Sequence, residues 1–288
     1  MTAIYKRELK SYFDSMTGYV FIAFLTLFTG IYFLAYNMFS GYPYFSYTLS
    51  GVMMILIIAV PILTMRSLAD ERRSRTDQIL LTAPVSVPKI ILGKYLSMVT
   101  VFAIPVLISC LCPLIIRMNG TAFLLEDYAS VLAFFLLGCV YIAIGMFISS
   151  LTESQIIAAV GTFGALLLLT LWPSLMNFLP GSAIGSLVGF LLIWALVVLI
   201  VYRVTAHAAV SAGVGAAGVL VLGGLYLAKK SVFEHLLANV LGKMALADIF
   251  TNFIMNHVFD LGGVIFYLSV IFVFIFLTVQ SVEKRRWS

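Results

Sequence analysis

Charge is what this sequence has least of. Only 10% of its 288 residues are Asp, Glu, Lys or Arg, against 62% that are hydrophobic, a balance outside that of soluble globular domains. Water is therefore not its main solvent, and no separate soluble catalytic domain fits between the apolar runs. Cysteine is scarce as well. Cys110, Cys112 and Cys139 lie inside apolar runs, where they read as small packing residues and leave no disulfide framework or zinc site.

Three kinds of chemistry are missing. A nucleotide motor needs a glycine-rich loop of the form G-x-x-x-x-G-K-[ST], whose amides cradle phosphate. Gly93-Lys94 and Gly242-Lys243 are followed by Tyr95 and Met244 and lack the upstream glycine, so the chain supplies no ATPase of its own. A pump or secondary transporter would place ionisable groups at mid-membrane, and the apolar runs are almost free of them. An enzyme would have to recruit Glu126, Asp127, Glu234, His235, Asp248, His257 and Asp260, which have no compact ligand spacing such as H-E-x-x-H. They read as solvated loop charges, with no metal site and no catalytic residue.

What is present is a series of long apolar stretches, at 18–36, 49–65, 95–116, 131–151, 156–176, 183–202, 208–228 and 262–282. A bilayer core is crossed by roughly 20 apolar helical residues, and backbone groups in lipid must bond within their own segment. The reading is an all-α polytopic bundle of about eight spans, or six if 183–228 is an extra pair. The first stretch follows Lys6, Arg7 and Lys10 but is too long for a signal peptide, so it counts as a span.

Orientation follows from the basic residues. With the N-terminus cytoplasmic, thirteen Lys and Arg fall on the cytoplasmic side and Arg117, Lys229, Lys230 and Lys243 on the other. This places both termini in the cytoplasm and accounts for the net charge of +5 without nucleic acid as a partner.

Within 1–14, Tyr5, Leu9, Tyr12 and Phe13 recur at helical spacing while Lys6 and Lys10 lie off the stripe, a pattern expected of an interfacial helix against membrane lipid. A second apolar stripe, Val232, Phe233, Leu236, Leu237, Val240, Leu241 and Met244, lies in the extracytoplasmic segment 229–261. Gly185 with Gly189, and Gly213 with Ala217, permit close helix packing, within the chain or between copies.

The segment 66–94 is neither span nor ordinary linker. Its charged first part turns apolar at Ile79, Leu80 and Leu81 before Pro84, which disfavours helix at the preceding residue. A short helix ending near Thr82 is expected. Ser86 then serves as N-cap with Pro88 in the opening turn of the next helix, so the third span begins in the cytoplasm. Such a projection suits rigid docking of a moving partner; a plain solvated basic loop is the simpler reading.

At this segment the sequence resembles the permease subunits of ABC type 2 exporters, in the branch that includes the gliding-motility permease. The matching residues are Leu63-Thr64-Met65-Arg66, Asp70-Glu71-Arg72-Arg73, Leu80-Leu81-Thr82-Ala83-Pro84-Val85-Ser86 and Gly93-Lys94. Further along stand Ile144-Gly145-x-Phe147-x-Ser149-Ser150-Leu151-Thr152, then Phe266-Tyr267-Leu268-Ser269, then the tail Ser281 to Trp287. Two departures stand out: Arg75-Thr76-Asp77 where the family tends to Gly-Thr-Glu, and Gly262-Gly263 in place of an outer Arg-Asp.

The resemblance implies a single permease domain over 1–288 that moves an unidentified substrate across the cell membrane. It implies a homodimer or a heterodimer with a second permease. A separate ABC ATPase would bind ATP and Mg and dock on Asp70, Glu71, Arg72, Arg73, Thr76, Asp77, Leu80 and Leu81, as contacts and not catalysts. A non-transporting scaffold of a surface or motility assembly and a secondary transporter are the rival expectations.

Overall fold

The computed structural model describes residues 2–76, 85–178, 181–205, 207–228, 233–242, 245–256 and 260–286. Among these residues there are helices and no strands. In order they are α1 (Thr2–Asp14), α2 (Thr17–Phe33, running into a π-helical turn Leu34–Phe39), α3 (Ser46–Thr64), α4 (Ala69–Arg73), α5 (Val87–Ser109), α6 (Leu111–Asn119) and α7 (Leu124–Leu151). They continue with α8 (Gln155–Met176), α9 (Ala183–Thr205), α10 (Ala208–Ala228), α11 (Leu236–Gly242), α12 (Leu246–Asn256) and α13 (Leu261–Arg286).

All eight apolar stretches of the sequence are helical. Seven helical stretches among the described residues are long and apolar enough to cross a bilayer: Thr17–Phe39, Ser46–Arg73, Val87–Asn119, Leu124–Leu151, Gln155–Met176, Ala183–Arg203 and Leu261–Lys284. Helix α10 adds 21 residues without a charge, about 31 Å at 1.5 Å per residue. Large apolar side chains face outward on α2, α8 and α13, including Leu27, Ile31, Ile156, Val160, Phe272 and Phe276. Water does not tolerate such a surface, whereas hydrocarbon is its natural solvent. The chain is a multi-pass helical membrane protein.

Contacts divide the chain into two compact units, residues 1–168 with 248–288, and residues 169–247. In the first, α7 is the central helix and packs against α3, α5 and α13. Ten consecutive residues, Leu137 to Met146, are buried, as expected of a helix apolar on every side. The Phe102 ring stacks on Phe135 with centroids 5.7 Å apart and lies where a side chain on Gly138 would stand. The buried Tyr95 hydroxyl donates to the Cys139 carbonyl at 3.1 Å, which ties α5 to α7 across the core.

The turn between α2 and α3 is held by two polar side chains. Asn37 donates to the carbonyls of Tyr42 and Tyr44 at 2.8 and 3.0 Å and accepts from the Thr48 hydroxyl at 2.7 Å. Buried Asp127 accepts the Phe45 amide at 2.8 Å, supplying an anion to the amino end of α3, where the helix dipole favours one. Asp127 is thus a capping group from a neighbouring helix. The sequence pattern had offered it only as a loop charge.

In the second unit α9 and α10 form a hairpin. The Trp194 indole donates to the Val214 carbonyl at 3.2 Å and occupies the space left open by Gly218. Gly189 makes room for Leu237, so this small residue serves a contact inside the chain. The expected outer amphipathic helix is Leu236–Gly242, with Phe233 and Leu237 buried; Val232 and Met244 of its stripe lie outside the described residues.

Candidate functional site: a short helix and its anchoring cluster

Helix α1 forms as its stripe demanded, and residues of the stripe pack on protein. Tyr5 Oη lies 3.0 Å from Thr100 Oγ1 on α5, and Ile4 packs on Gly93, where a Cβ would come within 3.2 Å of it. Tyr12 is buried and donates to the Leu63 carbonyl at 3.3 Å. Burial pushes its phenol above the ordinary tyrosine range, which keeps it protonated as a donor.

This packing carries Arg7 and Glu8 to a node that also contains Lys94 of α5 and Glu71 of α4. Lys94 is 2% exposed; its Nζ donates to Glu71 Oε1 at 2.7 Å and stands 3.2 Å from Glu8 Oε2. Arg7 Nη2 contacts Glu8 Oε1 at 2.6 Å and Glu71 Oε1 at 3.5 Å. A buried ammonium is tolerated only when charges or acceptors surround it. Here two carboxylates from two other elements do so, joining α1, α4 and α5.

The other side of α4 is fixed to α7 and to the start of α8. The Ser149 hydroxyl accepts the amides of Leu68 and Ala69 at 3.3 and 3.1 Å and donates to the Met65 carbonyl at 3.2 Å. Arg72, 8% exposed, donates to the Thr152 carbonyl at 3.5 Å. Asp70 accepts from Gln155 Nε2 at 2.5 Å and faces Arg66 at 3.5 Å. An open cavity of about 610 Å³ between α1, α4 and the start of α5 is lined by Arg7, Arg66 and Lys94 with Glu8, Asp70 and Glu71, three cations against three anions.

The end of α4 is equally defined. The Thr76 amide bonds to the Glu71 carbonyl at 3.0 Å and the Arg75 amide to the Arg72 carbonyl at 3.1 Å, the paired bonds of a Schellman cap. Such a cap needs a left-handed residue at its second-last position, and Arg75 has φ +56°. Glycine is favoured there because a side chain costs roughly 1–2 kcal/mol. Arg75→Gly is accordingly expected to stabilise the protein by about 1 kcal/mol, reduced somewhat by the greater freedom glycine gives the unfolded chain. A higher midpoint of thermal unfolding in detergent is the check.

Of the eight residues singled out by sequence, Asp70, Glu71 and Arg72 turn toward partners within the chain, while Arg73 and Thr76 are exposed, together with Ser74 and Arg75. Asp77, Leu80 and Leu81, and the expected end of a helix near Thr82, lie outside the described residues. Ser86 does occupy the N-cap of α5 with Pro88 in the first turn; its backbone is extended and its side chain makes no capping bond. Arg7, Glu8, Lys94, Ser149 and Gln155 are members of the cluster that sequence reasoning passed over as site residues. Lys94 had figured as an orientation charge and, like Ser149, as part of a matching motif.

Residues 39–180, just under half of the chain, match the model of a family described as ABC-2 family transporter protein. The match takes in α3 to α8 and so all of α4, Lys94 and Ser149, and it supports a membrane permease component of an ABC transporter. No curated protein and no solved structure matches the chain.

Proposed function

We propose that the chain is the membrane-spanning permease of an ATP-driven exporter, paired as a dimer and powered by a separate ATPase seated on the segment from Arg73 to Leu81. The observation that carries this reading is the mounting of α4. Glu71 holds it to α1 and α5, Arg72 to the end of α7 and Asp70 to the start of α8, while the four residues after Arg72 are exposed. A loop needed only to satisfy topology has no use for a buried three-element ion cluster.

Force applied to α4 reaches α5 through Glu71 and Lys94, and reaches α7 through Ser149 and Arg72. A partner that moves on ATP and Mg binding therefore acts on two central helices at once. If α10 crosses along with the seven candidate spans, the number of crossings is even, which agrees with cytoplasmic termini and with the thirteen-to-four division of basic residues.

Replacing both Leu80 and Leu81 with Asp is expected to release the ATPase and abolish its stimulation in reconstituted vesicles. The desolvation of two carboxylates at an apolar contact costs several kcal/mol, more than about 100-fold in affinity. Unchanged co-purification and stimulated hydrolysis would overturn the docking reading. Flux that follows an ion gradient and ignores ATP would identify a secondary transporter, and a stable complex without stimulated hydrolysis a scaffold.

A further inference from the structure

Arg75 is the one departure from the resembling family's pattern that falls on a strained backbone. With φ +56° it occupies a position where glycine would relieve the strain. A strained residue that is retained invites the question of what its side chain supplies. The side chain is exposed, as is that of Arg73, and among the described residues neither guanidinium has an ion-pair partner. Among the described residues, the carboxylates of α4 and of the node it joins are already engaged: Glu8 and Glu71 with Lys94 and Arg7, Asp70 with Arg66 and Gln155. The charged residues of α4 and its cap that lack an ion-pair partner among the described residues, Arg73 and Arg75, are thus basic, because its acids are engaged within the chain.

We infer that Arg73 and Arg75 set partner specificity at the end of α4, and that the surface they meet is acidic protein carrying at least two carboxylates. This rests on the docking reading above and names the chemistry of its partner. Guanidinium groups bind carboxylates in a bidentate manner, and complementary charge governs encounter and register more than total affinity. Anionic lipid is the competing source of negative charge. A lipid-binding element joins its cations to an apolar face, as α1 does with Tyr5, Leu9 and Phe13. Arg73, Ser74, Arg75 and Thr76 contain no apolar residue, and the Schellman cap holds them in a fixed geometry suited to a protein contact.

The test uses the full chain in nanodiscs and the ATPase subunit recovered with it, purified separately, with affinity measured against salt concentration. Arg75→Gly is expected to raise the unfolding midpoint while weakening ATPase binding by up to about fivefold at low salt. Combining it with Arg73→Gln should weaken binding further and flatten the salt dependence. A merely structural role for Arg75 would not separate stability from binding in this way. If Arg75→Gly and the double variant bind as the unaltered chain does, while Leu80→Asp with Leu81→Asp abolishes binding, the acidic partner surface is wrong and the docking reading stands. If the effect of Arg75→Gly is present in nanodiscs containing phosphatidylglycerol and absent in phosphatidylcholine alone, the cations read lipid and the inference falls. If no ATPase is recovered with the chain at all, both fall.

Discussion

Lys94→Met is expected to lower stability by about 3 kcal/mol and to disconnect α4 from α5. The ammonium it removes is 2% exposed and touches Glu71 at 2.7 Å and Glu8 at 3.2 Å. Without it, two carboxylates stand within about 6 Å of each other, a repulsion of about 3 kcal/mol at an effective dielectric constant near 20. Both carboxylates retain some contact with water, at 14% and 19% exposure, so the cost falls at the lower end of the range for a broken buried pair. Arg7 remains beside Glu8 and Glu71 and offsets part of it.

The diagnostic comparison is the triple variant Lys94→Met, Glu8→Gln, Glu71→Gln. Neutral groups of similar shape replace a buried ion cluster at little net cost, so most of the lost stability should return. Stimulation of a partner ATPase should not return fully, because amide groups hold α4 less strongly than the ion cluster does. Unfolding midpoints of the single and triple variants, measured in the same detergent, decide the matter. A single variant as stable as the unaltered chain would falsify the claim that this node anchors α4.

The positions of the spans were legible because they depend on composition over about 20 residues, and lipid leaves an apolar backbone no option but helix. The start of α5 was legible for a local reason, since Ser86 and Pro88 act within one turn. The anchoring cluster was not. Lys94 finds its partners 23 and 86 positions away, and no periodicity in α1 or α5 encodes that pairing. The inward turn of Asp70, Glu71 and Arg72 was hidden likewise, because a charged run looks the same whether its partners are water, another chain or the chain itself. Arg75 lies between these cases: the sequence showed a departure from glycine, and only the backbone angle gives the departure a physical meaning.

Gly145→Leu is expected to cost at least as much as the loss of Lys94, by overpacking instead of electrostatics. A Cβ at position 145 would overlap the Thr64 hydroxyl and lie 2.9 Å from Thr64 Cβ and 3.0 Å from Thr162 Cγ2. Neither threonine can yield easily. Both are fully buried, and their hydroxyls are committed to the Val60 carbonyl at 3.0 Å and the Ala158 carbonyl at 2.7 Å. Overpacking of a dense core costs typically 1–3 kcal/mol, and a leucine here adds three further carbons, so about 3 kcal/mol or more is expected. Gly145→Ala should cost about 1–2 kcal/mol, and Thr64→Ala should recover only part of that, because Thr64 Cβ itself is in the way. The coupling between positions 64 and 145 in a double-mutant cycle measures the close approach of α3 and α7 directly. The consequence reaches α4, since Gly145 and Ser149 are one helical turn apart on the same face. A shift of α7 away from α3 draws the Ser149 hydroxyl from the amides of Leu68 and Ala69. Gly145→Ala should therefore impair stimulation of the partner ATPase more than its stability cost alone implies, whereas Gly51→Ala, facing the Tyr32 ring near the amino end of α3, should lower stability and leave that coupling intact.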